Sequence, residues 1–103
     1  GEPILTCGGL QLNLLEHRVV VEGREVKLTP TEYELLKVML KYAGRVLTHK
    51  QLLKAVWGNE YDTDTHYIRI YMRQLRRKIE PDPAQPKYLI TEAGIGYRLL
   101  GGE

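Results

Sequence analysis

The 103-residue sequence predicts a small α+β domain, with an N-terminal four-stranded antiparallel sheet, three helices and a C-terminal β-hairpin. Residues 4 to 28 alternate apolar and polar positions between glycine-bearing turns. Two helix-capping boxes open helical apolar repeats in the middle of the chain. A proline-rich stretch then divides the last helix from two short strand-like runs.

The chain can build one modest core, so residues 1–103 are expected to form a single domain. Its composition, 43% apolar and 27% charged, is that of an ordinary globular protein, neither disordered nor fibrous. No apolar run approaches the roughly 18 residues a membrane helix needs, and no signal-peptide pattern opens the chain. The single cysteine, Cys7, has no partner in the chain for a disulfide and is expected to fill a buried gap. A reducing cytoplasm fits that usage.

In order, "ILTC" is a short apolar run, and "LQLNL" sets Leu10, Leu12 and Leu14 on one face. "RVVVEGREVKL" reads as two strands about a Glu22-Gly23 turn, with Gly8-Gly9 and Glu16-His17 supplying the other turns. "TPTE" makes Thr29 an N-cap, Pro30 the first helical residue and Glu32 the reciprocal cap. Leu35, Leu36, Met39, Leu40 and Ala43 follow at helical spacing, and Gly44 can end that helix. "THKQ" caps a second helix with Leu52, Leu53, Val56 and Trp57 on its apolar side and Gly58 as its stop. A third helix is expected to begin near Asp62 to Asp64, whose carboxylates suit a helix N-terminus, and to end before Pro81. "PDPAQP" must be a loop, and "KYLIT" and "GYRLL" form a hairpin about "EAGIG".

The third helix holds the main functional signal. The net charge is only +2, yet Arg69, Arg73, Arg76, Arg77 and Lys78 fall between residues 65 and 79 with no acid among them. On a helical wheel Ile68, Tyr71, Met72, Leu75 and Ile79 share one stripe, which must face a core. The arginines, with His66, form a second stripe about 120° away, bordered by Ile70. Guanidinium forks suit phosphate oxygens and the guanine major-groove edge, and an aliphatic residue suits the thymine methyl. A solvated surface would also be basic. The absence of neutralising acids, apart from Glu80 at i+4 from Arg76, and the bordering Ile70 favour nucleic acid. Helix, short turn, helix, loop, helix and hairpin is the order of a winged helix-turn-helix, whose third helix enters the major groove.

Other chemistry finds no support in the sequence. His49 and His66 fall in different elements and match no metal-ligand spacing. No nucleophile lies in an activating motif, and Gly94-Ile95-Gly96 lies between two strands rather than before a helix. No catalytic residue, metal or cofactor is expected. Tyr33 and Tyr42 read as core-edge packing and His17 as a solvated turn residue. The competing class is a protein-interaction module that presents the same arginines to acidic partners.

"LTPTEYELLKVMLKYAGRVLTHKQLLKAVWG", "YIRIYMRQLRRKIEPDP" and "ITEAGIGYRLL" together resemble the effector domain of OmpR/PhoB-type response regulators over nearly the whole chain. The resemblance implies sequence-specific binding of double-stranded DNA at tandem half-sites, and runs within the family toward regulators of potassium-uptake operons. It implies that a sensor kinase acts through a receiver domain that this chain lacks. It also implies that the isolated domain is a monomer and that the full-length protein dimerises on DNA, away from membranes. By position, Arg73 and Arg76 reach bases or phosphates, with Arg69 and Arg77 beside them, Ile70 meets a thymine methyl, and Tyr71 touches the backbone. His49, Lys50, Trp57, Thr91 and Tyr97 fall on backbone and wing contacts. Gly58, Asn59, Glu60, Tyr61 and Asp62 match a loop that meets RNA polymerase in some relatives. Two positions depart from the family pattern: Ala93 stands where several relatives carry a minor-groove arginine, and His49 where some are basic.

Overall fold

The computed structural model describes residues 3–58 and 66–101. Strands β1 (Ile4–Cys7), β2 (Leu10–Asn13), β3 (Arg18–Val21) and β4 (Arg24–Val26) form an antiparallel sheet in sequential order. The register pairs Leu10 with Val21 and Leu12 with Val19, so the alternating apolar residues share one buried face. The Glu22-Gly23 turn has φ of +50° and +83°, the pair of positive values that a tight hairpin requires. Glu22 adopts that conformation without being glycine, and its carboxylate accepts the Tyr88 hydroxyl at 2.9 Å and meets Lys87 at 3.2 Å. Cys7 is half-buried rather than buried, because β1 is an edge strand packed only partly on the core.

Helix α1 (Pro30–Lys41) opens with the expected box: Thr29 Oγ1 accepts the Glu32 N–H and Glu32 accepts the Thr29 N–H. Leu35, Leu36, Met39 and Leu40 are buried. The helix stops at Lys41, so Ala43 is exposed beyond it and Gly44 makes the following turn at φ +87°. Helix α2 (His49–Trp57) has its own box between Thr48 and Gln51 and ends on Gly58 at φ +82°. Helix α3 (His66–Ile79) buries Ile68, Met72, Leu75 and Ile79 almost completely. Asp62 and Asp64, expected to begin this helix, lie outside the described residues.

The C-terminal hairpin is present as β6 (Leu89–Glu92) and β7 (Gly96–Leu99). The structure adds β5 (Val46–Thr48), which pairs with β7 to make a three-stranded sheet in the order β5-β7-β6. The backbones pass so closely that a Cβ on Gly96 would lie 1.9 Å from the Leu47 carbonyl oxygen. Gly96 therefore serves strand packing, and Gly94 at φ +75° serves the wing turn. The three helices enclose one core between the two sheets.

Candidate nucleic-acid interface

With its apolar stripe buried, α3 presents Arg69, Ile70, Arg73 and Arg77 to solvent, and Ile70 is 40% exposed. Among the described residues no acidic side chain pairs with Arg69, Arg73 or Arg77. Their charges stand unneutralised on one face, and Arg73, Arg76 and Arg77 line an open cleft with Pro83 and Ala84. Lys78 leaves this set. Its ammonium binds the buried Glu32 carboxylate, which joins the end of α3 to the start of α1.

Glu80 does not neutralise the arginines either. Its side chain is buried and accepts the N–H groups of Lys87, Tyr88 and Leu89, with oxygen distances of 2.8 Å to Leu89 and 2.9 Å to Lys87. Arg76 reaches the same strand. Its Nε and Nη2 donate to the Leu89 carbonyl at 3.0 and 2.8 Å, and Nη2 donates to Thr91 Oγ1 at 2.6 Å. Arg76 thus differs from Arg73, which shares its stripe on the wheel: two of its three nitrogens face the wing, and Nη1 carries the rest of the fork. Helical periodicity could not reveal this, because its principal partner is a backbone carbonyl 13 residues away.

Tyr97 is only 4% exposed. Its ring lies 5.8 Å from the Arg76 guanidinium and 5.4 Å, edge to face, from His49. Burial pushes its phenol above the usual tyrosine range, which keeps the hydroxyl a neutral donor. His49 and exposed Lys50 open α2, where the first N–H groups of a helix lack intrahelical partners and favour anions. Trp57 and Tyr71 are both half-buried, with ring centroids 5.3 Å apart, and close the joint between α2 and α3. Tyr71 is thus a packing residue with one edge outward. Thr91 and Ala93 are exposed on the wing.

The structure therefore gathers α3, the start of α2 and the wing residues around Thr91 on one basic side. Of the expected polymerase loop, only Gly58 is described; Asn59, Glu60, Tyr61 and Asp62 lie outside the described residues. Tyr67, on the first turn of α3, is 42% exposed, an aromatic off the apolar stripe that carries no periodic signal. Away from it, His17 is exposed as expected but stacks on the Tyr33 ring at 4.1 Å. Among the described residues no group of histidine, cysteine or carboxylate side chains could hold a metal ion. No helix among them is long and apolar enough to cross a membrane.

Residues 23–99 match the family described as "Transcriptional regulatory protein, C terminal". The chain belongs to this family, the DNA-binding effector domains of OmpR/PhoB-type response regulators, which are regulators and not enzymes. Among individual proteins it is similar to KdpE. It is 54% identical over 100 residues to the KDP operon transcriptional regulatory protein KdpE of Escherichia coli K12, covering 96% of this chain and 44% of that protein. It is 44% identical over 97 residues to KdpE of Mycobacterium tuberculosis H37Rv, covering 94% and 43%. The response regulator DrrB of Thermotoga maritima, an OmpR/PhoB homolog, superposes with a TM-score of 0.86 at 27% identity, over 97% of this chain and 45% of DrrB. The chain spans less than half the length of these relatives.

Proposed function

We propose that this domain binds double-stranded DNA sequence-specifically, with α3 in the major groove and the β6–β7 wing along the backbone. The observation that carries the reading is the α3 face: Arg69, Ile70, Arg73 and Arg77 stand exposed on a helix whose other side is core, and no acidic side chain among the described residues pairs with the three arginines. Arg73 and Ile70 read base edges. Arg69, Arg77, Lys50, His49, Thr91 and the outer edges of Trp57, Tyr71 and Tyr97 hold phosphates and set the register. Arg76, tied to the wing, contributes through Nη1.

The DNA target is a pair of tandem half-sites, and the resemblance to KdpE supports control of a potassium-transport operon. The domain alone is a monomer. In a full-length protein, a sensor kinase acts through a receiver domain and drives dimerisation on DNA. The segment from Gly58 to Asp62 meets RNA polymerase.

Fluorescence-anisotropy titration tests the reading, using a duplex from upstream of the gene's own operon and a scrambled duplex at several salt concentrations. The native duplex should bind tighter, with log K falling against log salt at a slope of about −0.9 per phosphate contacted. Absence of binding to either duplex at low salt would sink the proposal.

A further inference from the structure

We propose that Arg76 is a positioning residue that sets the wing's place against α3 and presents the Thr91 hydroxyl to DNA, an inference that rests on the DNA-binding reading above. The guanidinium straddles the Leu89 carbonyl with two nitrogens and reaches Thr91 Oγ1 with one of them. Its guanidinium carbon lies 5.8 Å from the centre of the Tyr97 ring on the neighbouring strand β7. One turn later, Glu80 takes the N–H of the same Leu89. Both backbone polar groups of one residue on edge strand β6 are thereby held by side chains from α3 and from the residue that follows it.

This geometry needs arginine. A lysine ammonium is a point donor and cannot straddle the Leu89 carbonyl while reaching Thr91. The bond also has a polarity that matters for DNA. Thr91 Oγ1 accepts from a cation, so its own proton is directed elsewhere and polarised for donation. A phosphate oxygen requires a donor. Arg73, one turn earlier and exposed, has no comparable tie among the described residues and remains available to bases.

A double-mutant cycle tests this, with duplexes selected by the 103-residue chain from a randomised pool and folded fraction followed by circular dichroism. Arg76→Ala and Thr91→Ala should each weaken binding about tenfold, and the double variant also about tenfold rather than a hundredfold, because they remove one coupled contact. Arg73→Ala combined with Thr91→Ala should multiply instead. Arg76→Lys should not rescue. The salt slope of Arg76→Ala should fall by about one, while its reselected site keeps the original base preference at every position. If Arg76→Ala is not folded, Arg76→Lys with Thr91→Ala completes the same cycle. Multiplicative losses for Arg76 and Thr91, or lost preference at a single base pair in the Arg76 variant, would make Arg76 an independent base reader and overturn the proposal. If the unsubstituted chain selects no duplex at all, the DNA-binding reading fails first and takes this inference with it.

Discussion

Glu80 Oε2 accepts the Leu89 N–H at 2.8 Å while Arg76, four residues earlier on the same side of the chain, donates to the Leu89 carbonyl. Strand β6 is an edge strand, and its outward groups at Leu89 would otherwise be open to pairing with another chain. Two side chains of opposite charge, one on the last turn of α3 and one just after it, close that edge at Leu89 without pairing with each other.

Glu80→Ala should be among the costlier single changes in the domain. It leaves the Lys87, Tyr88 and Leu89 N–H groups without their acceptor beside a core, a loss of about 3 kcal/mol. Glu80→Gln keeps one carbonyl oxygen and should cost about half as much. Urea unfolding of both variants measures the difference. Equal stability of Glu80→Ala and the parent would show that water replaces the carboxylate.

Gly96→Ala should destabilise by about 2 kcal/mol or more, since the added methyl meets the Leu47 carbonyl and forces β5 from β7. Gly94→Ala meets open space but imposes φ +75° on a residue with a side chain, so its cost should be nearer 1 kcal/mol. Thermal melts of the two variants rank them, and the reverse order would contradict the register of β5 and β7.

Replacing each thymine of the selected DNA site by uracil removes only a methyl group. One position should show a loss of about 1 kcal/mol with the parent chain and almost none with Ile70→Ala. Arg73→Ala should instead lose about 1–3 kcal/mol at the selected site and relax preference at a base pair. If no thymine position depends on Ile70, that side chain is an exposed aliphatic without a reading role.

The Glu22 carboxyl is held below the usual carboxylate range, first by the Tyr88 hydroxyl and then by Lys87. A carboxyl whose pKa is lower folded than unfolded adds stability above its unfolded pKa of about 4.3, and loses it as pH falls through the folded value. Lys87, raised by Glu22, adds stability that persists until pH climbs through its own folded value at the alkaline end. Melting temperature should therefore decline on acidification below about pH 5, and Glu22→Gln should flatten part of that decline. Identical profiles would place the acid sensitivity in other carboxylates.

What was legible beforehand follows from how each feature is written in the chain. Both capping boxes, the Glu22-Gly23 turn and the α3 stripes rest on local spacing, and all are present where the residues put them. Strand β5 was not legible because Val46–Thr48 is too short to show alternation and owes its form to β7. The two roles of the basic run were also hidden. Lys78 and Arg76 read as more positive charge, yet each is drawn aside by a partner distant in sequence, Glu32 and Leu89 respectively. Position on a helix is a local property, whereas the destination of a long side chain is a tertiary one.

The two sheets place different demands on folding kinetics. Every pairing in the N-terminal sheet joins neighbours in sequence, so its hairpins close over short loops. Pairing Val46 with Arg98 must instead bring together segments about half the chain apart, against a larger loop-closure entropy. The first sheet and the local β6–β7 hairpin should therefore be structured early in the transition state, and the pairing of β5 with β7 late. Since β5 leads directly into α2 and β7 carries the wing, the joining of the start of α2 to the wing, which completes the proposed DNA surface, would be the last step of assembly.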